Sequence, residues 1–359
     1  MPQTRKQRRL LGAVALVLAF VAMVVGSAPA QAAAGPKVTV MTRNLYLGGD
    51  LTPSIVAPTL PAFLAANAAL LGHVDLMDFP ARATLLADEI VANKPDLVGL
   101  QEVALWRTGP IGDPAPATGV RYDYLALLMA VLATSGHPYD VAVVQQEADL
   151  EAPAGTPYNL DVRLTMRDVI LVRHGGGVKV ASAQSGNFAN NLVLPLPSVG
   201  ASATSTRGWT AVDAVHGTRA FRFVNTHLEA FHAGIRLLQA GELLSGPIAS
   251  APGDVVLAGD LNTGPDLPVP ANRLAYFALV AGGLVDTWPI VHPGDPGYTS
   301  GLGDDLNQPA GDLENRIDMV MFRGDVVPID SWLVGNTVQT PGGRWPSDHL
   351  GHVAVLALP

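Results

Sequence analysis

Residues 208–227 read GWTAVDAVHGTRAFRFVNTH. Two strand-like runs, Gly208 to Val215 and Ala220 to Asn225, follow one another with no helix between them, and the second ends on the polar group Asn225-Thr226-His227. A helix is expected next, from about His232 to Leu244, and then a short apolar strand from Val255 to Ala258. Upstream, Lys37 to Leu45 alternates as a strand, and Ala81 to Lys94 is amphipathic, with Leu85, Leu86, Ile90 and Val91 at helical spacing. Pro95-Asp96 stops that helix, and Leu97 to Leu100 forms a short buried strand running into Gln101-Glu102. Tyr122 to Ala133 reads as a helix and Tyr139 to Gln145 as a strand. Asp168 to Arg173, Val178 to Ala183, Ile317 to Phe322, Val326 to Val334 and His352 to Leu358 complete the strands. Strands that follow strands, with few helices among them, predict an α+β protein with stacked sheets instead of a regular βαβ alternation.

The N-terminus has a separate character. Arg5, Lys6, Arg8 and Arg9 precede a 16-residue apolar run from Leu10 to Val25, followed by Gly26-Ser27-Ala28-Pro29 and Ala30-Gln31-Ala32. Basic, then apolar, then small residues in an A-x-A pattern describe a secretory signal peptide over residues 1–32, with Ala32 ahead of Ala34 as the last residue removed. The alternative, an uncleaved anchor, is disfavoured because the run falls short of the roughly 18 residues of a spanning helix. Residues 33–359 then form the mature protein, secreted, periplasmic or at the cell surface. Export removes four of the 22 basic residues and no acid, which leaves 18 against 31 and a net charge of −13.

An acidic chain with no Lys/Arg run lacks the basic face that holds long nucleic acids. It does not exclude a nuclease, since a metal site can be locally positive. With no cysteine, an exported chain must draw its stability from a large core, and about 327 residues can supply one. Gly and Pro make up 66 of 359 residues, below the level of a disordered chain, and fall between periodic segments. There is no internal repeat.

Polar side chains recur where apolar runs end. Asn44 follows Val38-Thr39-Val40-Met41-Thr42, and its amide suits a phosphate oxygen or a metal-bound water, or else a simple turn. Glu102 closes a Leu/Val/Gly strand where a buried acid needs a partner, and a divalent cation supplies one. His227 ends its strand as a functional imidazole or as a satisfied core histidine. Asp260 and Asn262 follow Val255 to Gly259, and at i and i+2 they would face one side; the competing reading is a turn. Asp318 lies in the apolar strand Ile317 to Phe322 and calls for a hydrogen-bonded partner, which His349 of Ser347-Asp348-His349 offers. A base near neutral pKa with a carboxylate behind it is what activation of water requires.

Hard oxygen ligands (Glu102, Asp348, Asn44) favour Mg2+, with Ca2+ or Mn2+ next, and no H-E-x-x-H occurs. Neither a G-x-x-x-x-G-K-[ST] loop nor a G-x-S-x-G elbow is present. Asp75, Asp78, Asp304 and Asp305 read as solvated loop acids. The apolar stretch Leu51 to Leu71 reads as a core-packed insertion in preference to an exposed lip for a lipid surface.

In order, Arg43-Asn44, Gln101-Glu102, Asn225-Thr226-His227-Leu228, Gly259-Asp260-Leu261-Asn262, Arg316-Ile317-Asp318 and Ser347-Asp348-His349 resemble the endonuclease/exonuclease/phosphatase superfamily, over nearly the whole mature chain. Arg207-Gly208 also looks like a family feature. The resemblance implies one catalytic domain over residues 33–359, built as a four-layer sandwich of two packed mixed β-sheets flanked by helices. It implies hydrolysis of phosphoesters of DNA, RNA, inositol phosphates or sphingomyelin. It further implies that Glu102 binds the cation, that Asn44 serves the metal or phosphate end, and that Asp348 completes the polar shell near the metal. Asp260 and Asn262 would orient nucleophile and phosphate, His349 oriented by Asp318 would act as base or phosphate contact, and His227 would stabilise the transition state or protonate the leaving group. His227 resembles the deoxyribonuclease and sphingomyelinase branches. Asp168 departs from the family pattern and reads as a strand-edge acid in preference to a substrate contact.

The expectation is a secreted, divalent-metal-dependent phosphoester hydrolase using His-activated water on a phospholipid headgroup or other small phosphodiester. A secreted deoxyribonuclease-type endonuclease is the alternative, and an inactive binding protein on the same fold ranks third. No obligate protein partner is evident.

Overall fold

The computed structural model describes residues 35–359, so the expected signal peptide lies outside the described residues. Sixteen strands run in the order β1 Lys37–Asn44, β2 Leu97–Gln101, β3 Leu105–Pro110, β4 Gly119–Asp123, β5 Tyr139–Ala154, β6 Leu160–Arg173, β7 Val178–Asn187, β8 Leu192–Leu196, β9 Ala201–Ser205, β10 Gly208–His216, β11 Arg219–His227, β12 Asp254–Asp260, β13 Val285–Asp286, β14 Asp318–Arg323, β15 Val327–Val334 and β16 Gly351–Ala357 among the described residues. The helices are α1 Thr52–Ile55, α2 Leu60–Leu76, α3 Phe79–Asn93, α4 Tyr124–Thr134, α5 Ala233–Leu243, α6 Leu274–Ala281 and α7 Trp288–Val291. No single helix among the described residues is long and apolar enough to cross a membrane.

The strands form an eight-stranded sheet ordered β15-β16-β1-β2-β6-β3-β4, with β5 paired to β6, and a six-stranded sheet ordered β13-β14-β12-β11-β10-β7. Each sheet is mixed. β1 pairs with β2 in parallel and β11 with β12 in parallel, while their other neighbours are antiparallel. The parallel pairs need long crossovers, and α5 lies in the one between β11 and β12.

Alternation along the strands sorts their side chains into layers. Val38 and Val40 of β1, Leu97 of β2 and Ile170 of β6 meet Phe221 and Phe223 of β11, Val256 of β12 and Val320 of β14 between the sheets. Met41, Val98 and Leu100 point the other way, onto Leu71 and Val74 of α2, Leu86 and Ile90 of α3 and Leu128 of α4. Val255, Leu257, Met319 and Met321 pack outward with Ala240 and Leu243 of α5 and Leu279 of α6. Both faces of the central strands are therefore covered, which explains their near-continuous apolar composition. The four expected layers of helix, sheet, sheet and helix are present.

A polar bridge crosses the interior between the sheets. Gln101 Nε2 of β2 donates to Asn225 Oδ1 of β11 at 2.5 Å, and Asn225 Nδ2 donates to the Leu100 carbonyl at 3.1 Å. Gly99 has no side chain because one would collide with Asn225: a Cβ there would lie 2.5 Å from Asn225 Oδ1.

Several elements differ from expectation. The helix predicted over 122–133 begins at Tyr124, where Asp123 Oδ1 accepts from Ala126 N as an N-cap. β5 runs nine residues past Gln145 and β6 begins eight residues before Asp168, so the two form a long ribbon that the charged positions Asp149, Glu151 and Arg163 conceal from an apolar-run reading. β3, β4 and the separate two-stranded β8-β9 hairpin were not anticipated. Asp75 is no solvated loop acid: it lies in α2, where Arg121 Nε (2.7 Å), Tyr122 and Tyr158 donate to it, and these contacts hold its carboxyl below the usual range against the opposing effect of burial. Within 51–71, Ala68 and Leu71 are packed in the core, in line with an insertion that packs.

Candidate active site

The parity that builds the core also builds the site. On the inter-sheet face, Val38 and Val40 are followed at the same parity by Thr42 and Asn44, Leu97 by Gly99 and Gln101, Phe221 and Phe223 by Asn225 and His227, and Val256 and Ala258 by Asp260. Asp318 precedes Val320 and Phe322 on that face. Neighbouring strand ends therefore deliver polar groups to one edge of the sandwich, and β12 and β14 place Asp260 directly opposite Asp318 in register.

Asp260 is the hub. Its Oδ2 accepts from Asn44 Nδ2 at 3.0 Å and lies 3.3 Å from His227 Nε2 and 3.9 Å from His349 Nδ1, while Oδ1 accepts from the Asn262 backbone N–H at 3.0 Å. Burial, then the nearby Asp318, pushes its carboxyl up to about 7. Asn44 is engaged at both ends, since its Oδ1 also accepts from Tyr46 N at 2.8 Å. Asn262 donates through Nδ2 to the Leu228 carbonyl at 3.0 Å and lines the cleft. Glu102 and Asn262 both adopt left-handed backbone, at φ 54° and 49°. That conformation is unfavourable for Glu and milder for Asn, and it turns both side chains away from the strand direction.

His349 Nδ1 lies 2.8 Å from Asp318 Oδ2, and its Nε2 lies 4.0 Å from Asp348 Oδ2. Burial opposes the charge on His349, but Asp318, Asp348 and Asp260 outweigh it and hold the imidazole well above its ordinary value. The loop carrying it is held from behind by Arg43, which donates to the His349 carbonyl and pairs with Glu89 at 2.9 Å. His227 is the opposite case. Arg207 Nη1 lies 2.7 Å from His227 Nδ1, and a guanidinium can only donate, so Nδ1 accepts and the ring proton sits on Nε2, facing Asp260. Burial, Arg207 and His349 together keep this imidazole well below its ordinary value, neutral and a donor.

Glu102, His227, Asp260, Asn262, Asp348 and His349 line one cleft of about 710 Å³, with Asp318 behind His349 and Asn44 behind Asp260. Three groups, Asp260, Asp318 and His349, bring potential ligand atoms within 4.8 Å of one another. In that trio His349 and Asp318 are joined by the 2.8 Å hydrogen bond. Glu102 and Asp348 are a second donor set: Glu102 Oε2 accepts from Leu47 N at 2.7 Å, and burial, then Glu102 itself, lifts the Asp348 carboxyl to about 6. Carboxylates crowded in this way, with the buried Asp318 Oδ1 lacking a hydrogen-bond partner among the described residues, are the chemistry a divalent cation relieves, so the residues fit one.

Two further acids face this end. Asp168 is no edge acid: it is fully buried, it shares the inward parity of Ile170 and Val172, and neither carboxylate oxygen has a hydrogen-bond partner among the described residues. Burial and the adjacent Glu147 hold its carboxyl well above the usual range. Glu147 sits at a β-bulge of β5, accepts from Gly208 N at 2.8 Å and lies 4.0 Å from Arg207. The parity of Asp168 was a usable signal, whereas nothing in the sequence marked Glu147.

The architecture and the site can be set beside known proteins. No curated protein sequence matches the chain. TDP2 from D. rerio, crystallised with a single-strand DNA product, superposes with a TM-score of 0.53 at 17% identity over 90% of this chain and 99% of that one. An endonuclease/exonuclease/phosphatase from Bacteroides vulgatus gives 0.54 at 18% identity, over 90% and 100%. A mannosyl-6-phosphatase from Bacteroides thetaiotaomicron gives 0.54 at 16%, over 89% and 100%. At such identities these likenesses concern the fold. The family model described as Endonuclease/Exonuclease/phosphatase family matches residues 64–349, most of the chain, and with the fold it makes this protein a member of that family and a phosphoester hydrolase.

Proposed function

We propose that the protein is an exported phosphodiesterase that uses a divalent ion, Mg2+ before Mn2+ or Ca2+, on a lipid headgroup or other small phosphodiester. The observation that carries this reading is the convergence of Glu102, Asp348, His349, Asn262 and the neutral donor His227 on one cleft whose lining, among the described residues, contains a single Lys or Arg, Arg207. Glu102 and Asp348 would hold the ion, which when bound supplies Lewis-acid polarisation and neutralises charge on the phosphate. Asn44 holds Asp260 in place, and Asp260 with Asn262 orients nucleophile and phosphate. His349, with Nδ1 fixed by Asp318, takes one proton of the water through Nε2 as the water oxygen bonds to phosphorus, and returns it to the oxygen released when the P–O bond to the leaving group breaks. His227 stays neutral and donates a hydrogen bond from Nε2 toward a phosphate oxygen. Export rests on the basic, apolar and small-residue order of residues 1–32.

A nuclease is the second reading, favoured by the DNA-bound TDP2 neighbour. Against it stand the acidic charge of the chain and the scarcity of cationic lining. The deciding experiment is a rate panel over sphingomyelin, single- and double-stranded DNA, RNA, inositol phosphates and bis(p-nitrophenyl) phosphate, with Mg2+ and with a chelator, at two ionic strengths. Faster cleavage of DNA at both strengths overturns the preference.

A further inference from the structure

The catalytic residues occupy one end of a much longer cleft. Beyond them it runs between the β8-β9 hairpin and α2, over the β5-β6 ribbon, and its lining there turns apolar: Leu194 and Leu196 from the hairpin, Leu150 and Met166 from the ribbon, Phe63 and Leu70 from α2. The hairpin wall follows from alternation. Leu192, Leu194 and Leu196 are half-buried while Val193 and Pro195 between them are exposed, so every second side chain faces inward. The wall is anchored at its base, where Ser205 Oγ donates to Glu229 Oε2 at 2.8 Å and Arg207 N donates to Asn191 Oδ1 at 2.9 Å. This apolar channel takes no part in the bond-breaking chemistry, and it is continuous with the catalytic end.

Charge narrows what can lie in it. Among the described residues Arg207 is the one Lys or Arg in the lining, and it stands at the catalytic end, bonded to His227. Asp149 and Glu151 pair with Arg163, but Asp50 and Asp304 also line the cleft, and Asp50 contributes to raising the Asp304 carboxyl after burial. A second or third phosphate of a nucleic-acid strand would therefore meet carboxylates and leucines, without a guanidinium to receive it. A hydrocarbon chain meets apolar surface that it removes from water.

We propose that the substrate is a single-phosphate amphiphile whose alkyl or acyl chain is enclosed in this channel while its phosphate lies at His227 and His349. The inference rests on the phosphoesterase reading and adds to it that the protein itself, and not only a membrane surface, receives the hydrocarbon.

The test separates the two claims. Hydrolysis of p-nitrophenyl alkyl phosphates with methyl, butyl and octyl chains, kept below their aggregation concentrations in Mg2+ buffer, should show kcat/KM rising up to about fourfold per fully buried methylene. Ala203→Trp, which places an indole in the channel from the hairpin, should collapse the octyl-to-methyl ratio at least about tenfold. Binding is measured independently with EDTA present, where dodecylphosphocholine should bind at least about 100-fold more tightly than phosphocholine. Hydrolysis of the methyl ester with a flat chain-length series overturns the channel and leaves the phosphoesterase. Tight dodecyl binding without hydrolysis of any ester upholds the channel and sinks the phosphoesterase. A short oligonucleotide that binds more tightly than dodecylphosphocholine overturns the channel assignment.

Discussion

Asp318 and His349 should behave as one unit, and a double-mutant cycle measures it. The Asp318 carboxylate is completely buried and lies 2.8 Å from His349 Nδ1. A buried hydrogen bond between charged partners is worth roughly 1.5–3 kcal/mol. At about 1.36 kcal/mol per decade of rate, Asp318→Ala alone should lower kcat/KM by about 10- to 150-fold through misorientation of the ring. His349→Ala removes the proton carrier itself, for a loss of about 10²–10⁴. Independent residues would multiply those losses in the double variant, to about 10³–10⁶. A unit would not: once the imidazole is gone, the carboxylate has nothing to orient, and the double variant should fall within about threefold of His349→Ala. The assay is the initial rate on bis(p-nitrophenyl) phosphate at saturating Mg2+ for all four proteins, with thermal melts taken first and Asp318→Asn run in parallel to preserve side-chain shape. Losses that multiply would refute the pairing.

Glu102→Gln should keep the fold while weakening Mg2+ or Mn2+ binding by at least about tenfold, since even groups behind a ligand cost that much; calorimetric titration that finds unchanged affinity, together with full turnover, sinks the ligand assignment. Glu147 predicts a pH dependence of stability. Burial raises its carboxyl from 4.5 to about 7, so the folded protein holds this proton more tightly than the unfolded chain and loses stability as pH rises from about 4.5 to about 7. Glu147→Gln removes that slope, and its thermal stability relative to the wild type should improve from pH 5 to pH 8 by an amount of order 3 kcal/mol; a difference that stays constant across that range would falsify the assignment.

Much of this site was legible because two independent regularities coincide. Strand alternation predicts which residues share a face, and polar residues that break an apolar run at a strand end announce where the face stops being core. His227, Asp260 and Asp318 satisfy both, while Glu102 satisfies only the second, because it lies just past the strand and reaches the site through its left-handed backbone. Asp168 satisfied the first, and only its position at the start of a run disguised it as an edge acid. Glu147 satisfied neither, because the bulge between Gln146 and Asp149 shifts the register in which it would have been counted. The β8-β9 hairpin stayed hidden for a different reason: with one face on a cleft and the other in solvent, its leucines and prolines carry no core signature. What the sequence under-determined is thus the substrate side of the molecule, whose residues answer to a ligand and not to the interior.

The Gln101–Asn225 bridge has a consequence for how such a chain can change. Glu102 follows Gln101 on one sheet, and His227 lies two residues beyond Asn225 on the other, so the two halves of the reacting centre belong to slabs that greasy contacts alone would let slide. The bridge acts as a dowel pin through both slabs, set one residue from the first half and two from the second. Accordingly, the β8-β9 hairpin, which shapes the channel without entering the core, can be lengthened, retilted or exchanged without disturbing the alignment of the chemistry. Diversification of the substrate is mechanically uncoupled from the reaction, and a lineage built on this frame can explore new cargo while the pin stays in place.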